Sequence, residues 1–132
     1  MLTKAKIASA GAALFLSAGL VGAGVTAAQA ASGMINGCTV TSDLPYKSGD
    51  KIRGTGSAIC PTTGTRTLFV ELHREEWWWH PLVATGSDSG AKKSYWAAAQ
   101  GCDDGVWHEY FTEAGFGGTE INSGKRGFAA TC

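Results

Sequence analysis

Thr67-Leu68-Phe69-Val70-Glu71-Leu72-His73 is the stretch that decides the fold. Leu68, Val70 and Leu72 alternate with Thr67, Phe69, Glu71 and His73. This two-residue period belongs to a strand with one face in a core and the other toward solvent. After it comes a polar break, Arg74-Glu75-Glu76, and then Trp77-Trp78-Trp79-His80-Pro81. Leu82-Val83-Ala84 reads as the return strand. Pro81 cannot donate to a ladder, so that strand begins after it or lies at an edge. Successive side chains of a strand point to opposite faces, so no strand can hide three consecutive tryptophans. Continuing the phase of Leu72 sends Trp78 inward and Trp77 and Trp79 outward, and a reset at the polar break reverses the two sets.

Upstream, Lys51 to Cys60 reads as a strand with Gly54, Gly56 and Ala58 on one face. Such a row of small residues implies a bulky cover, for which the tryptophans are the candidates. Pro61-Thr62-Thr63-Gly64 has turn chemistry, as do Asp43-Leu44-Pro45 and Lys47-Ser48-Gly49-Asp50. Cys38 to Thr41 is the first expected strand, and Ala31 to Gly37 a mobile lead-in. Downstream, Thr85 to Gly90 reads as a loop, Tyr95 to Ala99 as a strand, and Asp103-Asp104-Gly105 as a tight turn. Val106 to Ala114 alternates again. Gly115 to Gly124 reads as a long flexible connection, and Phe128 to Cys132 as a terminal strand. The expected fold is all-β: an antiparallel β-sandwich of about seven short strands stapled by two disulfides.

Lys4 and Lys6, the apolar run from Ile7 to Val25 and the small residues of Ala28-Gln29-Ala30 together read as a signal peptide over residues 1–30. Of 132 residues, 102 then remain as a single secreted domain, residues 31–132. Loss of the two lysines leaves nine basic against eleven acidic side chains. That balance provides no footprint for nucleic acid, nor for an anionic membrane once the leader is cleaved. Cys38, Cys60, Cys102 and Cys132 form an even set in a small exported domain, which implies two disulfides. Of the three connectivities, Cys38–Cys60 with Cys102–Cys132 is favoured, because each pair brackets one hairpin-sized segment.

Residue spacing excludes most of the familiar catalytic and cofactor-binding motifs. From Gly118 to Gly124-Lys125 the spacing is one residue too long for a phosphate loop, and Arg126 stands where Ser or Thr would hold magnesium. Gly115 and Gly117 lack the third glycine of a dinucleotide fingerprint, since Glu120 occupies its place. Glu71 and His73 share one strand face, but with His80, His108 and Glu109 they have no metal-ligand spacing. No nucleophile elbow occurs, and Glu75-Glu76 and Asp103-Asp104 are adjacent pairs in turns. The reading is therefore non-catalytic, with no metal and no cofactor. The aromatics are the remaining signal. Trp77, Trp78, Trp79, His80, Trp107 and Phe111 are the expected partner-binding residues, because buried Trp and Tyr anchors dominate recognition surfaces.

The order Cys60, turn, Leu68-x-Val70-x-Leu72, Trp78-Trp79, Val83-Ala84, and then Cys102 to a terminal Cys132, resembles small two-disulfide secreted β-sandwich proteins of actinomycetes. Among these, the chain is similar in size and layout to the adaptor subunit of umbrella toxin particles, which bridges a scaffold protein to a lectin subunit. That resemblance implies a non-catalytic connector with secreted protein partners. Tendamistat-type amylase inhibitors share the two sequential disulfides, but carry a Trp-Arg-Tyr triplet between the first pair. Here Tyr46 is the only aromatic in that interval, and no such triplet occurs. Inhibition of another secreted hydrolase, and binding of carbohydrate or cell wall, are the alternative readings.

Overall fold

The computed structural model describes residues 29–132. The predicted leader lies outside them except for its last two residues. Eight strands follow: β1 Ala31–Ile35, β2 Cys38–Ser42, β3 Tyr46–Ser48, β4 Lys51–Arg74, β5 Leu82–Gly101, β6 His108–Gly115, β7 Glu120–Asn122 and β8 Arg126–Phe128. The described residues hold no helix, and the all-β sandwich expected from the sequence is what forms. Its construction differs from the expected row of short strands.

β4 is the spine. β5 runs antiparallel along one edge of it, from Ile52 opposite Gly101 to His73 opposite Leu82. On the other edge, β2 and β3 pair with its first half and β6 with its second. β7 and β8 then pair with β6. The supposed turn at Pro61–Gly64 is a slip of register between Ile59 and Gly64 within one continuous strand. The supposed loop at Thr85–Gly90 is likewise strand, bent at Gly90, whose φ is 148°. Polar residues there mark a solvent-facing rim rather than an interruption.

At these two bends the sheet folds over itself, so β4 and β5 each contribute to both layers. Tyr95 pins the fold line. Its hydroxyl lies 2.9 Å from the Gly64 carbonyl and 2.8 Å from that of Gly90. Arg66 donates to the Thr62 and Lys92 carbonyls on either side. Leu68, Val70 and Leu72 are fully buried between the layers, as their period required.

The tryptophans do not cover the small residues of β4. A Cβ on Gly54 would lie 2.5 Å from the Thr112 hydroxyl, and one on Gly56 would lie 2.7 Å from the Ala114 Cβ and 2.9 Å from Val70. It is the other layer, arriving backbone-close, that fills the space. The five tryptophans all stay exposed. Gly86 marks the tightest approach, since a Cβ there would collide with the Ala98 carbonyl.

Three further segments differ from expectation. The lead-in is ordered as β1, paired with β2 from Ala31 opposite Ser42 to Ile35 opposite Cys38. Its turn is Asn36-Gly37, with φ of 50° and 82°, a two-residue hairpin signal that the sequence carried. The glycine-rich connection contains β7. The terminal strand is β8, paired with β6 from His108 opposite Phe128 to Tyr110 opposite Arg126. Ala129 to Cys132 leave the ladder, and the Ala130 carbonyl accepts from the Asp103 and Gly105 amides.

The disulfides are Cys38–Cys60 and Cys102–Cys132. The first ties β2 to β4 beside the fold line. The second fastens the end of β5 to the terminal segment. Two such bonds are consistent with an oxidising, extracellular setting.

Candidate functional site: the tryptophan loop

Glu75 to Pro81 connects β4 to β5 and is not itself a strand. The Arg74 amide donates to the Pro81 carbonyl at 3.0 Å, closing the neck. Within it, the Glu76 amide donates to Trp79 at 3.1 Å, and the Glu75 amide reaches the Glu109 carbonyl of β6 at 2.8 Å. The loop is thus held at its base by both neighbouring strands.

Strand alternation predicts that the three rings split between two faces. They do not, because the backbone leaves the pleat at Glu75. Trp77 is 90% exposed, Trp78 64% and Trp79 47%. Trp78 stacks on Trp79 with centroids 5.2 Å apart, and Trp77 sets its edge to Trp78 at 6.1 Å. The result is one contiguous aromatic surface. Offset and edge contacts of this kind stabilise aromatic pairs beyond their buried area.

Phe111 does not belong to the surface. It is 4% exposed and lies beneath the loop, stacked on His73 and touched edge-on by His80. On its strand it faces outward from the core, as alternation predicts, but the loop covers it. Its role is to support His80, which is exposed and contacts Glu75 at 3.3 Å. Lys125 lies 3.4 Å from the same carboxylate. Glu75, His80, Phe111, Asn122, Ser123 and Lys125 enclose a shallow pocket of about 230 Å³ beside the tryptophans. Trp107 is exposed with its indole lying over Gly127. It precedes His108, whose ring approaches Glu76 at 3.8 Å, so it lies on the flank of the loop base.

Arg74 organises that base. Its guanidinium contacts Glu76 at 2.7 Å and both oxygens of Asp103 at 3.1 Å. The buried Tyr110 hydroxyl donates to the same Asp103 at 2.7 Å. Burial, and the carboxylate it faces, push the Tyr110 phenol far above its ordinary range. Asp104 accepts from the Val106 amide and from His108, and both hold its carboxyl below the usual value. Tyr110→Phe removes one hydrogen bond to a charged acceptor while keeping the ring. The expected loss of stability is about 1.5–3 kcal/mol, read from urea unfolding.

On the outer face of the second layer, Glu71, His73 and Glu113 converge. The sequence placed Glu71 and His73 together but could not show Glu113, which β6 brings directly opposite Glu71. His73 is held toward its charged form. Burial opposes the charge, but hydrogen bonds to Glu71 and the His80 carbonyl, and the nearby Glu113, outweigh it. The Glu113 carboxyl is pushed up by burial and by Glu120 and Glu71, against the pull of His73.

Compared with known proteins, the chain matches no family model, no curated protein and no solved structure.

Proposed function

We propose that this chain is a secreted, non-catalytic binding module that docks a protein partner through the Trp77–Trp79 loop. One observation carries the reading: three contiguous tryptophans stand exposed on a loop whose base is fixed by backbone hydrogen bonds and by Arg74. Each tryptophan can bury about 150–250 Å² of surface, and rigid aromatic anchors are the side chains on which binding energy concentrates. A pre-ordered loop also loses little conformational freedom on docking. The non-catalytic part is supported by the state of the reactive groups. The four cysteines are paired, and each histidine ring faces carboxylates rather than a hydroxyl or thiol. The resemblance to a toxin-particle adaptor supplies the partner class, a large secreted scaffold protein.

Tagged protein added to culture supernatant should recover a stoichiometric secreted partner. Trp77→Ala with Trp79→Ala should weaken that capture about a hundredfold or more, while the thermal midpoint stays near wild type. Unchanged capture by the double variant would remove the loop from the interface. Adsorption to chitin or cell wall, or stoichiometric inhibition of a hydrolase, would replace the protein-adaptor reading.

A further inference from the structure

We propose that Glu71, His73 and Glu113 form a binding site for a divalent transition-metal ion of the zinc class. The donor atoms are already gathered: His73 Nε2 lies 2.9 Å from Glu71 Oε1 and 3.4 Å from Glu113 Oε1. All three donors fall within 4.8 Å of one another. Zinc bonds of about 2.0–2.1 Å in a tetrahedral shell set donors about 3.3–3.4 Å apart, so small side-chain rotations complete the geometry. One imidazole with two carboxylates is also a donor set that zinc accepts.

The surroundings are those of a metal-binding histidine rather than of a plain surface pair. His73 Nδ1 lies 3.0 Å from the His80 carbonyl. The proton on Nε2, shared with the two carboxylates, is the one a metal ion would displace, while Nδ1 keeps its proton directed at the His80 carbonyl. This is the outer hydrogen bond that orients imidazole ligands and fixes their tautomer. Phe111 stacks on the ring at 5.4 Å and limits its rotation. Among the described residues, the only positive charge these carboxylates share is the one on the His73 ring, which a metal ion would replace. Glu71 and Glu113 are direct cross-strand partners, an arrangement in which like charges repel. Among the described residues, no lysine or arginine forms an ion pair with Glu71, Glu113 or the neighbouring Glu120. A pocket of about 260 Å³, lined by Glu71, Glu113 and Glu120, adjoins the site. It leaves room for a fourth ligand, either water or Glu120.

The second cluster, Asp103, Asp104 and His108, offers a built-in comparison. Arg74 already lies within ion-pair distance of both its aspartates, at 3.1 and 3.6 Å. It therefore has its cation.

Calorimetric titration of chelator-treated protein with zinc chloride near neutral pH tests the assignment, with magnesium chloride as comparison. The expected result is one zinc per chain, no comparable magnesium binding, and a raised thermal midpoint. Glu113→Gln keeps the side-chain shape and should weaken zinc at least tenfold while leaving the metal-free midpoint near wild type. His108→Ala should leave zinc binding unchanged. Nitrogen NMR should show His73 Nε2, not Nδ1, moving when zinc is added. Absence of binding up to millimolar zinc would mean that a proton on His73 satisfies the carboxylates, and would overturn the proposal. Binding that survives Glu113→Gln and is lost in His108→Ala would overturn it as well.

Discussion

Gly86→Ala should lose about 3 kcal/mol or more of stability, with the native fold itself at risk. Overpacking a core by a methyl group often costs about 1–3 kcal/mol, because side chains can rotate aside. Here the obstacle is the Ala98 carbonyl, part of the backbone of the facing stretch of the same strand. Relief requires the two layers to separate near Gly86, which would loosen Leu68, Val70 and Leu72 between them. Ser87→Ala, one residue along on the exposed side, is the control and should stay within about 0.5 kcal/mol. Urea unfolding followed by circular dichroism compares the two. A Gly86→Ala midpoint equal to wild type would mean that the layers do not meet there.

The second large effect concerns the disulfides, and the order of the two bonds is the informative part. Cys38→Ala with Cys60→Ala opens a loop of 22 residues, for which the chain-entropy model gives about 3–4 kcal/mol. Cys102 and Cys132 are 30 residues apart, and the same model makes their bond stronger by only about 0.3 kcal/mol. Burial separates them in the opposite direction. Cys38 and Cys60 are 0% and 3% exposed, whereas Cys132 is exposed at the surface. Removing the first pair therefore also takes packed sulfur from the core beside the fold line. The loss should be clearly larger for Cys38/Cys60. Equal losses would reduce both bonds to chain entropy, and a larger loss for Cys102/Cys132 would contradict the packing described above.

Period-two patterning made the core of β4 readable, since Leu68, Val70 and Leu72 need only local alternation to declare a face. The same logic misjudged the bends. Pro61–Gly64 and Ser87–Gly90 carry turn residues, and a strand folding over itself uses those residues for the same φ freedom and solvent exposure that a true turn uses. What lay across the sheet was not readable from either strand alone. Glu113 meets Glu71 only through a pairing register that joins residues far apart in sequence, and Phe111 is buried only because the loop lies over it. The exposure of at least one tryptophan was predicted on a strand argument. All three are exposed, for a different reason: the chain has left the strand before it reaches them.

Because β4 and β5 each serve both layers, neither layer is a separable piece. During synthesis, β4 is complete by Arg74, yet its second half finds its outer partner only when β6 emerges, ending at Gly115. The opposite edge of β4 pairs with β5 throughout, its second half with Leu82–Lys92 and its first half with Ser94–Gly101, so the first half waits until β5 is complete. The N-terminal half therefore has no stopping point at which it could rest as a folded unit. Such non-local pairing places folding toward the slow, millisecond-to-second end of the range. It also ties every ladder in the domain to the same late event, so hydrogen exchange should show one broad protected unit rather than two.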